Sequence, residues 1–268
     1  MDLGVISKRV GVEETMKKVA LVTGGGSGVG RSSARALKKA GYAVILTGRR
    51  QETLEETISM ANDKNVTVSG SISSIVADVS DPASVDNLFS DIKNQFGRLD
   101  VLFNNAGVNV PSTTFGDLTY LEWKNTVDIN LTGVFLCAKA AFNLMRDQKP
   151  QGGRIINNGS ISAHVPRPGS APYTSTKHGV TGLTKTIALD GRPFNIACGQ
   201  IDIGNALTPM AARMVEGVPQ ADLSIKAEPV MDVDHVGDAI VSMANLPLES
   251  NILNMTIMAS GMPYVGRG

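Results

Sequence analysis

Three consecutive stretches decide how this chain folds: Lys18-Val-Ala-Leu-Val22, then Thr23-Gly-Gly-Gly-Ser-Gly-Val-Gly30, and, after an amphipathic stretch, Ala43-Val-Ile-Leu-Thr47. The first and last are short apolar runs, and residues 29–40 between them carry a helical pattern closed by Gly41. Strand, helix and strand in that order predict a β-α-β unit with parallel strands. The glycine loop falls between strand and helix, where unpaired backbone N–H groups and the positive end of the helix dipole favour a phosphate. Gly24, Gly28 and Gly30 let the chain turn tightly and let a pyrophosphate approach the backbone. The strand-loop-helix context, more than the glycines themselves, points to a dinucleotide.

The alternation continues outward. Residues 51–62 read as a helix and 71–76 as a strand. Asp81-Pro82 is an N-cap with proline at the first helical position, opening a helix to Phe96. Then follow a strand at 101–104, a helical region within 118–145, a strand at 154–158, a helix at 173–189 and a strand at 196–203. Helical patterns near 208–215 and 233–244 precede a last strand at 254–259. Seven strands separated by helices predict an α/β protein with a Rossmann-type doubly wound parallel sheet and helices on both faces. With no linker, repeat or low-complexity segment, one domain is expected over 18–268, preceded by a weakly patterned arm over 1–17.

Composition narrows the function. The 268 residues suffice for one large core, and 25 basic against 25 acidic side chains leave a net charge of zero. Nothing therefore favours nucleic acid or an anionic membrane as partner, and a bound phosphate must be held locally. The two cysteines and three histidines fall at no metal-ligand spacing. No apolar run reaches the roughly 20 residues of a membrane helix, the nearest being the interrupted stretch 134–145. A cytoplasmic location is expected.

A second constellation runs from Asn157 to Lys177. Tyr173 and Lys177 share a helix face, and Ser160 stands near the end of an apolar run. A phenol working near pH 7 needs its pKa lowered, and an ammonium one turn away favours the phenolate. A serine hydroxyl can hold the oxygen that gains or loses the proton. Asn104-Asn105-Ala106-Gly107 ends the fourth strand at the carboxyl edge, where ligands of such sheets bind. Asn130 sits inside a helical stretch, a costly place for asparagine, so its side chain is expected to have a partner. After the second strand come Arg49 and Arg50 with no carboxylate, which favours NADP over NAD because arginine accepts a 2′-phosphate. Asp78, followed by Val79, stands where it could reach the adenine or cap its own loop.

Taken together, Thr23-Gly24-x-x-x-Gly28-x-Gly30, Asn104-Asn105-Ala106-Gly107, Asn130, Ser160 and Tyr173-x-x-x-Lys177 resemble, in order and separation, the compact branch of the short-chain dehydrogenase/reductase family. The resemblance covers roughly residues 18–260. It implies a nicotinamide-dependent oxidoreductase, NADP(H) preferred and NAD(H) possible, interconverting a small secondary alcohol and a ketone. Tyr173 would exchange a proton with the substrate oxygen, Ser160 would hold that oxygen, Lys177 would lower the tyrosine pKa, and Asn130 would anchor a water. The expected cofactor contacts are Gly24, Ser27, Gly28, Val29, Gly30, Arg49, Arg50, Asp78, Val79, Asn104, Ala106, Gly107, Tyr173, Lys177, Gly204 and Thr208. The family's Pro-Gly after the sixth strand is here Ile203-Gly204, with Thr208 four residues on. Loops at 108–115, 163–172 and 209–226 would line the substrate side, with no Arg or Lys placed to demand an acidic substrate. Relatives usually form dimers or tetramers through their long helices, so a homodimer or homotetramer is implied. The alternatives are a 3-oxoacyl carrier-protein reductase and a non-catalytic dinucleotide-binding regulator.

Overall fold

The apolar runs become the strands of one parallel sheet, because a strand covered by helices on both faces has no polar side to show. A computed structural model describes residues 17–62 and 70–265; the arm expected at the N-terminus, apart from Lys17, lies outside the described residues. In chain order the elements are β1 (Val19–Thr23), α1 (Gly28–Lys39), β2 (Ala43–Gly48), α2 (Gln51–Ala61), β3 (Ser71–Val76), α3 (Pro82–Phe96) and β4 (Val101–Asn104). Then come α4 (Tyr120–Val127), a π turn (Asp128–Thr132), α5 (Gly133–Asp147), β5 (Gly153–Asn158), α6 (Ala171–Asp190) and β6 (Ile196–Gly204). Last are α7 (Arg213–Glu216), a two-stranded ribbon of β7 (Val218–Pro219) and β8 (Ile225–Lys226), α8 (Asp234–Asn245) and β9 (Asn254–Met258).

The seven long strands lie in the order β3-β2-β1-β4-β5-β6-β9, all parallel, so the order reverses between β1 and β4. That reversal opens a crevice at the carboxyl edge. One face of the sheet is packed by Leu88, Ile92, Cys137, Ala141 and Met145 of α3 and α5, the other by Leu37, Leu54, Val236 and Ile240 of α1, α2 and α8. The run Tyr120–Asp147, the one described stretch long and apolar enough to cross a membrane by composition, packs its buried side chains into the first of these cores. Helix α3 begins as expected, with the Asp81 side chain accepting from Ala83 N at 3.1 Å, and ends at Gly97 with φ 70°.

Two differences from the sequence reading bear on the site. The helix expected near 208–215 shrinks to the four residues of α7, which Gly217 ends at φ 138° before the ribbon begins. Strand β6 also runs on through Gly204, pairing Ile203 with Ile257 and Gly204 with Met258. Ile203 provides the N–H that a proline there would lack. The chain beyond β9 folds back so that Met262 packs on Ile161 and Ala259.

Candidate active site

The glycine loop fits a phosphate because side chains are excluded from it. Gly24 has φ 65°, and a Cβ there would lie 2.9 Å from the Cα of Ala106; a Cβ on Gly30 would lie 2.2 Å from the Gly24 carbonyl oxygen. Ser27 caps α1 without a side-chain bond, which leaves the first-turn N–H groups to a ligand. Gly28 and Val29 open that turn, and Thr208 sits beside Gly28. The loop is stitched to its neighbours. Thr23 Oγ1 accepts from Asn105 N and Ala106 N, both at 2.9 Å, while Asn105 Nδ2 donates to the Thr23 carbonyl and Asn158 Nδ2 donates to Asn105 Oδ1. Arg31 pins the loop from outside by donating to the Gly26 carbonyl at 2.6 Å and pairing with Glu56.

At the far end of the crevice Arg49 and Arg50 are exposed. Asp78 is a loop cap, its Oδ1 accepting from Ser80 N at 2.9 Å and Ser80 Oγ at 2.7 Å. Burial acts to raise this carboxyl, but the Ser80 bonds and the Arg49 charge hold it below its usual range. Val79 is buried against Gly133. Asn104 points into the interior, where its amide donates to Asn157 Oδ1 at 3.0 Å and to the Val134 carbonyl; Gly107 packs beside Asn130. The partner expected for Asn130 is the backbone of Val108, which donates to Oδ1 and accepts from Nδ2, both at 2.8 Å.

Ser160 leaves the end of β5 and caps a short turn, its Oγ accepting from Ser162 N at 3.1 Å, while its own N–H donates to Asp202 Oδ1 at 2.9 Å. Tyr173 and Lys177 stand one turn apart on α6, with the Lys177 ammonium 5.4 Å from the tyrosine ring. Lys177 is buried and donates to the Asn158 carbonyl at 2.7 Å. The expected lowering of the phenol pKa by this lysine does not hold in the protein as it stands. Burial pushes Tyr173 up, against the Ser160 hydrogen bond and the Arg213 charge, because lost water costs a phenolate more than these neighbours return. Burial likewise lowers Lys177 to about 8, although Asp202 opposes it.

That last shift has a measurable sign. Above the folded value of about 8, the unfolded lysine still binds its proton while the folded one has released it, so stability rises with pH until the unfolded value is reached. Urea midpoints followed from pH 8 to pH 10 are expected to show this rise in the wild type relative to Lys177→Met. Parallel curves for the two proteins would contradict it.

Ser160 and Tyr173 face a cavity of about 170 Å³, whose walls include Val110, Ile203, Met210 and Met214. Contrary to the sequence reading, two arginines also line it, Arg167 and Arg213. Residues 18–218 match the sequence model of the short chain dehydrogenases. The chain belongs to the short-chain dehydrogenase family. Among its relatives in that oxidoreductase family, a 3-oxoacyl-[acyl-carrier-protein] reductase of a Synechocystis strain is 34% identical over 197 residues, 74% of this chain and 77% of that protein. A trans-4-hydroxycyclohexanecarboxylate dehydrogenase of Sinomonas cyclohexanicum is 35% identical over 238 residues, 87% of this chain and 88% of that one. The solved structure of an actinorhodin polyketide ketoreductase variant with NADPH superposes with a TM-score of 0.80 at 26% identity, covering 91% of this short-chain dehydrogenase and 96% of the ketoreductase.

Four residues of this short-chain dehydrogenase escaped the sequence reading as parts of the site: Arg31, Arg167, Asp202 and Arg213. Asp202 alone gave a signal, as the one acid in the apolar strand Ile196-Ala-Cys-Gly-Gln-Ile-Asp202. Arg213 is a lone charge among methionines and alanines, a pattern shared with any surface turn.

Proposed function

We propose that this short-chain dehydrogenase interconverts a secondary alcohol and a ketone, preferring NADP(H) and accepting NAD(H), with Ser160, Tyr173 and Lys177 as its catalytic residues. The observation that carries the reading is their convergence beside the glycine loop: Ser160 and Tyr173 on one cavity, and buried Lys177 against the tyrosine ring. A nicotinamide held at this edge would supply or accept the hydride. Backbone N–H groups from Ser27 to Gly30 would hold the pyrophosphate, Arg49 and Arg50 a 2′-phosphate, Asp78 and Val79 the adenine side, and Ala106, Gly107, Gly204 and Thr208 the nicotinamide half. Because Asn104 is buried, its contribution would be to set the end of β4 rather than to touch the cofactor.

Tyr173 would pass a proton between its hydroxyl and the substrate oxygen, which Ser160 would hold by hydrogen bond. Lys177 would replace that proton. The Asn130 amide is occupied by Val108, so a water relay from Lys177 would use the Asn130 main-chain carbonyl, which the π turn shifts out of the regular helical ladder. The relative that matches nearly the whole chain is named for a hydroxy carboxylate, which favours a compact alicyclic or aliphatic alcohol. A 3-oxoacyl carrier-protein reductase is the second reading, favoured by the Synechocystis relative. Two-fold assembly through α5 and α6 is supported by Phe135, 46% exposed on the outer side of α5. A single domain from residue 18 and a cytoplasmic setting agree with the continuous sheet and two free, buried cysteines.

Titration with NADPH and NADH, followed by nicotinamide fluorescence, tests the cofactor assignment. NADPH should bind more tightly, and Arg49→Ala should weaken it about 10- to 100-fold, the value of one or two charged hydrogen bonds, while leaving NADH nearly unchanged. Equal affinity for the two nucleotides, or the same loss for both, would remove the arginines from the assignment.

A further inference from the structure

We infer that the substrate carries a carboxylate near its reacting carbon and that Arg213 binds it. This rests on the oxidoreductase reading and adds the substrate class. Arg213 projects from α7 into the cavity that holds Ser160 and Tyr173. Its Nε is inaccessible to water and has no hydrogen-bond partner, and the guanidinium makes no ion pair among the described residues. The residue as a whole is only half-buried, but its Nε–H is a buried donor left unpaired, which is costly unless an acceptor joins it, and an anion reaching into the cavity would supply one.

The other arginine of the cavity is already matched. Arg167 pairs through both terminal nitrogens with Glu228, whose carboxyl also accepts from Asn205 and Gln220. Burial acts to raise Glu228, but these bonds hold it at about 2, so the pair is neutral as a unit at any ordinary pH. Among the described residues no Asp or Glu lines the cavity. One unit of positive charge is left over, and it belongs to Arg213.

The charge is close enough to Tyr173 to pull the phenol down, so an anion on Arg213 would lie near the carbon that changes oxidation state. A guanidinium fork matches a carboxylate through two parallel N–H···O bonds, and one cation balances one monoanion. At about 170 Å³ the cavity lies below the roughly 300 to 1,000 Å³ usual for ligand sites, which suits a compact oxo or hydroxy acid better than a bulky ring system.

The experiment pairs acids with their esters. Isomers of oxobutanoate and oxopentanoate, and the methyl ester of each, are offered with NADPH to the wild type, Arg213→Gln and Arg213→Lys. The matching hydroxy acids and hydroxy esters are titrated calorimetrically into each protein loaded with NADP⁺. The wild type should prefer at least one acid over its ester by about 100-fold in kcat/KM, the worth of a charge-assisted pair. Arg213→Gln should erase or reverse that preference, Arg213→Lys should keep part of it, and NADPH affinity should stay within about twofold of wild type.

Equal use of acid and ester by the wild type would overturn the inference. So would an Arg213→Gln variant that keeps the acid preference, or one that loses NADPH affinity instead, which would assign the arginine to the cofactor. If no carbonyl compound is turned over, calorimetry separates the two claims. Binding of the acid but not the ester, lost in Arg213→Gln, would leave the anion site standing and remove the oxidoreductase reading, whereas binding of neither would remove the anion site.

Discussion

Replacing Tyr173 by Phe is expected to lower kcat/KM by about 1,000-fold, within the range usual for a lost general acid or base, while NADPH binds within about twofold of wild type. The variant keeps the ring packed against Lys177 and removes one oxygen, so loss of activity would report proton transfer rather than a collapsed site. Full activity in Tyr173→Phe would sink the catalytic assignment. The pH dependence carries further information. Burial raises Tyr173 above the ordinary phenol value, so at pH 7 the group is a proton donor, the form that ketone reduction needs. Alcohol oxidation needs the phenolate and should therefore climb with pH through the alkaline range. A neighbour lowered to about 8, Lys177, would begin to lose its proton over the same interval. In Tyr173→Phe any residual oxidation should lose this climb. Single-turnover measurements at pH 7 and pH 9 would show both effects.

The fold was legible because its signals are local. Apolar runs such as Val101–Asn104 have no polar alternation, and Asp81 before Pro82 can hardly be anything but a helix start. The glycine loop and the Tyr173–Lys177 pair were legible as candidates because their geometry is set by short spacings, four residues for the pair, and Ser160 by its place at the end of the apolar run that becomes β5. Arg213 was not, since what distinguishes it is the absence of any acid across a cavity whose walls come from loops far apart in the chain. The tyrosine shift runs against its spacing for a related reason. Spacing reveals that Lys177 is near, but burial outweighs it, and burial depends on how α6 seats against β5 and β6. Asn104 and Asn105 show the same limit. Adjacent in sequence and alike in chemistry, they point to opposite sides of the strand end, one into the interior and one across to the glycine loop.

Asp202 joins the stability of this fold to its chemistry, and Asp202→Ala tests the connection. Its carboxyl is fully buried and meets four groups: Ser160 N and Gln200 Nε2 at Oδ1, His164 Nε2 and Asn254 Nδ2 at Oδ2, all within 2.9 Å. Removing it strands Gln200 Nε2 of β6 and Ser160 N of the turn after β5 in the interior, whereas Asn254 of β9 and His164 are exposed and can turn to water. The expected cost is about 3 kcal/mol, given roughly 1 to 3 kcal/mol for each buried polar group left unsatisfied and partial relief by water. For a chain of this size that corresponds to a melting temperature lower by about 6 to 12 °C. Asp202→Asn should fall between, because it can keep an acceptor for Ser160 N and Gln200 Nε2 while its own amide replaces the oxygen that faces Asn254 Nδ2 and His164 Nε2. A thermal midpoint within about 2 °C of wild type in Asp202→Ala would show that the network contributes nothing. The catalytic effect has its own signature. Asp202 holds the Ser160 backbone and opposes the lowering of Lys177, so its loss should drop kcat, shift the alkaline limb of the pH profile downward and leave NADPH affinity in place. A purely structural role would lower the melting temperature and leave that limb where it was.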